Sequence, residues 1–110
     1  MTETQLVHAT IKALHSFGWP AWRNNTGGER KIYKSHVRFI RYGPKGGSDI
    51  FAIRPRDGKF VALEAKVGKR KPTKEQQIFL DEVHNANAVA IVFYDRVEDA
   101  LIQLGLLGDG

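Results

Sequence analysis

Asp49, Glu64 and Lys66 are the residues of this chain whose types and spacing could do chemistry together. Glu64 and Lys66 close the run FVALEAKV at 60–67. Successive side chains of a β-strand point to opposite faces. Val61, Leu63, Ala65 and Val67 therefore share one face, and Phe60, Ala62, Glu64 and Lys66 the other. The pair Asp57-Gly58 is the strongest hairpin signal in the sequence, and it joins this run to DIFAIRP at 49–55. If the turn has two residues, Arg56 pairs with Lys59, Asp49 faces Lys66 and Phe51 faces Glu64. Asp49 and Glu64 then become diagonal neighbours on one face, with Cβ atoms roughly 6–8 Å apart. Two carboxylates so placed can share a hard divalent cation, Mg2+ or Mn2+. A cation there would neutralise and orient a phosphodiester and lower the pKa of a bound water. Lys66 beside it would stabilise charge developing at phosphorus. By themselves Glu64 and Lys66 read as an ordinary ion pair near a strand end; Asp49 and its surroundings favour catalysis.

Those surroundings are a glycine-broken loop, GPKGG at 43–47, and basic flanks. Glycine removes side chains where a nucleic-acid backbone must approach closely. Residues 23–74 hold 15 Lys and Arg against 4 acids, a net +11, so the rest of the chain carries −6 of the total +5. A block of this sign fits a polyanionic partner, although it could also be a solvated basic face. The loop is not a P-loop, since it lacks the G-K-[ST] order and leads into a strand. The four histidines are too dispersed for a zinc motif.

The elements that must position these residues follow from periodicity. Residues 2–17 are expected to form a helix: Thr2 and Gln5 make a capping box, Leu6, Val7, Ile11 and Leu14 recur at helical spacing, and Gly18 stops it. WPAWRN (19–24) reads as a short strand, NTGGER (25–30) as a loop and HVRFIRY (36–42) as a strand. After the hairpin comes a basic loop, VGKRKP (67–72). Thr73 opens a helix to about Ala86, with Ile78, Phe79, Val83 and Ala86 as its apolar stripe. AVAIVFY (88–94) reads as a fully buried strand and VEDALIQLG (97–105) as a closing helix. The helix between the 59–66 and 88–94 strands makes a βαβ unit, so those strands are expected to be parallel. The expected architecture is one α/β domain over 1–110, with a mixed sheet flanked by helices.

Composition sets the outer bounds. A chain of 110 residues allows one domain. The absence of cysteine excludes disulfides and thiolate metal sites and fits a reducing compartment. The N-terminal stretch has no signal-peptide apolar region, and the longest apolar run is far short of the ~18 residues of a membrane span. A soluble, intracellular protein is expected.

Taken in order, these pieces resemble the PD-(D/E)xK nuclease superfamily and, more narrowly, the virus-type replication-repair nuclease (VRR-NUC) family. The matching residues are Gly47-Ser48-Asp49, Glu64-Ala65-Lys66 and Thr73-Lys74-Glu75-Gln76, together with Glu3 and Gln5 on the first helix and Trp22-Arg23-Asn24. The resemblance implies a restriction-endonuclease-like αβββαβ core and metal-dependent cleavage of DNA. It implies Asp49, Glu64 and the Ala65 carbonyl as ligands of Mg2+ or Mn2+, with Glu3 as a further ligand, directly or through water. Lys66 would position or activate the attacking water, and Gln76 would orient Lys66 or the phosphate. Stand-alone, phage-type members are associated with homodimers that cut four-way DNA junctions. The implied protein is thus a structure-specific endonuclease resolving Holliday junctions in the cytoplasm of a bacterium or a phage-infected host.

Matched incisions on two strands need two active sites related by a two-fold axis, and Leu104, Leu106 and Leu107 are candidates for the dimer surface. Lys69, Arg70, Lys71 and Lys74 are the first choice for phosphate contacts, with Arg23, Lys45 and Ser48 as further candidates. GERKIYK (28–34), with Arg30 and Lys31, could be an arm gripping a second DNA strand. Trp19, Trp22, Tyr33 and Tyr42 could stack on unpaired bases, with core packing favoured for the tryptophans. Three other readings compete: a flap- or end-directed repair nuclease, a non-catalytic module binding structured nucleic acid, and a dimeric scaffold subunit.

Overall fold

Thr2 and Gln5 form the capping box in the computed structural model: Gln5 N donates to Thr2 Oγ1 at 3.1 Å and Thr2 N donates to Gln5 Oε1 at 2.8 Å. The structure describes residues 1–24, 28–33, 36–41 and 47–108, with side chains described for 1–24 and 47–108. Helix α1 (Glu3–Ser16) buries Leu6, Val7, Thr10 and Leu14, and the buried Thr10 hydroxyl donates to Leu6 O at 2.7 Å. The chain continues through β1 (Ala21–Arg23), β2 (Gly28–Tyr33), β3 (His36–Arg41), β4 (Ile50–Arg54), β5 (Lys59–Lys66), α2 (Lys74–Asn85), β6 (Val89–Tyr94) and α3 (Val97–Gln103).

Strands β1, β4, β5 and β6 form a four-stranded sheet in that order, and β2 and β3 form a two-stranded sheet of their own. The β1–β4 and β4–β5 pairs are antiparallel and β5–β6 is parallel. The fold is α/β with a mixed sheet. Without the β2–β3 hairpin, the element order is α-β-β-β-α-β-α. Strand β2 overlaps 28–30, where composition alone predicts a loop. Its first residues, Gly28, Glu29 and Arg30, lack apolar alternation, so the antiparallel pairing with β3 has no side-chain signature there.

One face of the four-stranded sheet carries Ile50, Ala52, Val61, Leu63, Ala65, Ile91 and Phe93, which pack with Leu6, Val7 and Leu14 of α1 and Ala100 and Leu101 of α3. Each large aliphatic side chain removed from water here contributes about 1.5–3 kcal/mol. The other face carries Phe51, which meets Phe60 at 5.0 Å and Phe79 of α2 at 6.1 Å between ring centroids. Helix α2 buries Leu80 and Val83, whereas Ile78 is 48% exposed and Ala86 is also exposed. The stripe thus runs through Phe79, Leu80 and Val83, rotated from the one periodicity suggests. Only Ile91 and Phe93 of β6 are buried; β6 is an edge strand, so its second face is half covered despite its wholly apolar sequence. Among the described residues, no helix is long and apolar enough to cross a membrane.

The β4–β5 turn has four residues, Pro55 to Gly58, not two: Arg54 pairs with Lys59 and Ile50 with Leu63. Gly58 N donates to Arg54 O at 2.8 Å. Arg54 grips Asp57 with both Nε (3.0 Å) and Nη2 (2.7 Å), and Asp57 Oδ1 also accepts from Lys59 N at 3.2 Å. The hydrogen bonds from Arg54 hold the Asp57 carboxyl well below the usual carboxylate range. Gly58 sits at φ 72°, in the left-handed region. Gly58→Ala should therefore cost about 1 kcal/mol, read as a lower urea midpoint with an unchanged m-value.

Candidate active site

The four-residue turn moves the hairpin register by two residues, which preserves which side chains share a face. Its effect is to carry Asp49 from opposite Lys66 to opposite Glu64, one step beyond the Ile50–Leu63 pair. Asp49 precedes β4, and its carboxylate takes the place of a strand there: Oδ2 accepts from Ala65 N at 3.0 Å. Asn24, just after β1, holds the main chain from the other side. Asn24 N donates to Asp49 O at 2.8 Å, and its Nδ2 donates to Ser48 O at 3.1 Å.

Glu64 lies inside the sheet with a side chain only 1% exposed, and Lys66 beside it is 8% exposed. Lys66 Nζ is 3.6 Å from Glu64 Oε1 and donates to Gln76 Oε1 at 3.0 Å. Gln76 Nε2 in turn donates to Glu64 Oε1 at 3.1 Å. Gln76 reaches both because it is the third residue of α2, closing a capping box with Thr73: Thr73 N donates to Gln76 Oε1 at 2.8 Å, and Gln76 N to Thr73 Oγ1 at 3.2 Å.

Burial pushes the Glu64 carboxyl up to about 9; the charge of Asp49 and a hydrogen bond shared with it push the same way, Lys66 opposes them, and Glu3 adds a final push. Lys66 does not offset the combined effect of burial and two neighbouring acids. Glu64 Oε2 is buried and has no hydrogen-bond donor, nor does the buried Ser48 Oγ have a partner. These observations fit a hard divalent cation: oxygen donors, two neighbouring acids that Lys66 alone does not let ionise together, and an enclosed carboxylate oxygen with nothing donating to it. Among the described residues, no group of three or more His, Cys, Asp or Glu is placed to hold a metal ion. Two carboxylates, main-chain oxygen and water suffice for Mg2+, which keeps several of its waters.

No family model and no curated protein sequence matches this chain.

Asp49, Glu64, Ala65, Lys66 and Gln76 are joined by the contacts above. Glu3, in the first turn of α1, is close enough to act on Glu64, but its carboxylate accepts from Arg70 Nη1 at 3.0 Å. Lys69, Arg70, Lys71 and Lys74 are exposed on the loop after β5 and at the start of α2. Ser48 is fully buried, away from any surface a phosphate could reach. Arg23 is exposed but pairs with Ile50, on the face opposite to Glu64. Lys45 and Tyr42, and the side chains of Arg30, Lys31 and Tyr33, lie outside the described residues. Trp19 is in the core, whereas Trp22 is 44% exposed and meets Phe51 edge-on at 6.3 Å. Leu104 and Leu106 are half-buried against the core, and Leu107 is exposed. Sequence reasoning gave no role at the site to the Thr73 main chain; its signal was present as an N-cap three residues before a glutamine.

Proposed function

We propose that this protein is a Mg2+- or Mn2+-dependent endonuclease of the VRR-NUC type, with a single restriction-endonuclease-like domain that cuts branched DNA as a homodimer. The observation that carries the reading is Glu64: an acid buried inside a sheet, opposite Asp49, beside a lysine that does not offset its charge. Buried acids whose pKa is shifted this far concentrate at functional sites. The carboxylates of Asp49 and Glu64 and the Ala65 carbonyl would hold the cation, with Glu3 reaching it through water. When bound, the cation supplies charge neutralisation at the phosphate and a water of lowered pKa.

The chain's own residues do the rest. Hydrolysis forms a bond from water oxygen to phosphorus, breaks one P–O ester bond and delivers a proton to the leaving oxygen. Lys66 orients the water and stabilises negative charge developing on the phosphoryl oxygens. Gln76 restrains the Lys66 ammonium and the Glu64 carboxylate together, so that neither must reorganise during the step. Lys69, Arg70, Lys71 and Lys74 grip flanking phosphates. Each phosphate neutralised steepens the salt dependence of binding by a slope of about −0.9 in log-log terms.

Substrate choice is tested by offering a four-way junction, a flap, linear duplex and single strand, each end-labelled, with light scattering of the protein on and off DNA. Symmetric nicks confined to the junction by a dimer are expected. Cutting of flaps or ends keeps the site and changes the repair role, and a strict monomer in both states counts against junction resolution.

A further inference from the structure

Gln76 Oε1 accepts two hydrogen bonds, from Thr73 N at 2.8 Å and from Lys66 Nζ at 3.0 Å. An amide nitrogen could not stand there, because both partners are donors. One of the two is a main-chain N–H, which cannot reverse its polarity. The capping box of α2 thereby fixes which way the Gln76 amide faces, and with it the donation from Nε2 to Glu64 at 3.1 Å. The box is closed by the Thr73 hydroxyl, which accepts from Gln76 N at 3.2 Å and keeps the first turn, and the Thr73 N–H, in place. Thr73 itself is exposed and no contact joins it directly to Glu64 or Lys66.

We infer that Thr73 is a positioning residue for the active site: the N-cap of α2 sets the Gln76 amide, which in turn holds Lys66 and Glu64 in their working arrangement. This rests on the nuclease reading for its consequence and on the hydrogen bonds alone for its geometry. A plain helix cap would affect stability and leave the site unmoved. A positioning cap couples the first turn of α2 to turnover: when the turn frays, Lys66 loses its acceptor and Glu64 its donor together.

The test uses Thr73→Ala, Thr73→Gly and Thr73→Ser in the full chain. Glycine is a tolerable N-cap that lacks the hydroxyl, so it separates loss of the box from loss of the helix. The first readout is the Gln76 side-chain amide in 15N NMR spectra without metal, assigned by its disappearance in Gln76→Met. In the alanine and glycine variants its resonances should shift and its hydrogen exchange accelerate, and serine should restore both. The second readout is cleavage: kcat should fall roughly ten- to a hundredfold, as for partners that orient metal ligands, with KM unchanged and serine again restoring it. A lowered Tm with the Gln76 amide and kcat as in wild type would overturn the inference, leaving Thr73 a helix cap only. If wild type cleaves no DNA, the nuclease reading fails while the amide response still decides the coupling, so the two failures are distinguishable.

Discussion

Lys66→Met should lower DNA cleavage roughly 10²–10³-fold, the range for loss of one positioned group that stabilises developing charge, and leave the fold standing. Methionine has a similar length and no charge. Gln76 Oε1 keeps the bond from Thr73 N at 2.8 Å, so no buried acceptor is orphaned. Glu64 loses a neighbouring charge that favours its ionised form and keeps the donation from Gln76 Nε2; it then holds its proton more firmly, so no unpaired buried charge remains. Removing one partner of a buried ion pair is costly when it strands the other as an uncompensated charge, and a protonated Glu64 is not stranded in that way. Urea unfolding of wild type and variant, beside single-turnover cleavage, separates the two effects. A variant that unfolds early would mean that Lys66 is structural. A stable variant that still cleaves at the wild-type rate would remove Lys66 from the mechanism.

The metal-free protein should lose stability as pH rises from about 5 to 9, and bound metal should reverse that trend. The Glu64 carboxyl is pushed from its ordinary value of 4.5 to about 9 in the folded chain. Between those values the native state holds a proton that the unfolded state has released, so raising the pH favours unfolding. The stabilisation conferred by this proton is complete below about 4.5 and is lost as pH climbs through 9. In the proposed site a divalent cation would take the place of the proton between Glu64 and Asp49, so its stabilising effect should grow with pH over the same window. Glu64→Gln should flatten the pH slope and abolish the shift in Tm on adding Mn2+. The difference between wild type and this variant removes the contribution of the histidines and termini. A wild-type Tm that is flat across the window, or a Mn2+ response that survives Glu64→Gln, would place the cation elsewhere.

The sequence carried the faces of the hairpin but not its register. Asp57-Gly58 correctly marks a turn, yet Arg54 closes it by gripping Asp57, which makes the loop four residues long. Turn length depends on that side-chain contact, which dipeptide statistics do not contain. Because the shift is even, Asp49 stays on the face of Glu64 and Lys66; an odd shift would have sent it to the other face. Apolar periodicity likewise located α2 but not its orientation, since Leu80 rather than Ile78 is buried. The depth of Glu64 was not legible either. Alternation in FVALEAKV suggests a half-buried strand, whereas β5 lies between β4 and β6 and is covered on both faces from Val61 to Lys66. The bridge from Gln76 to Lys66 and Glu64 spans a helix and a strand, so only the packing of α2 against the sheet could reveal it.

The most direct test of the central claim is a cleavage time course on end-labelled branched DNA, with Mg2+, Mn2+ or EDTA, for wild type and Lys66→Met side by side. The account predicts defined incision products for wild type in either metal, none in EDTA and almost none from the variant. Tight binding by wild type without any incision in either metal, or incision that persists in EDTA, would contradict it.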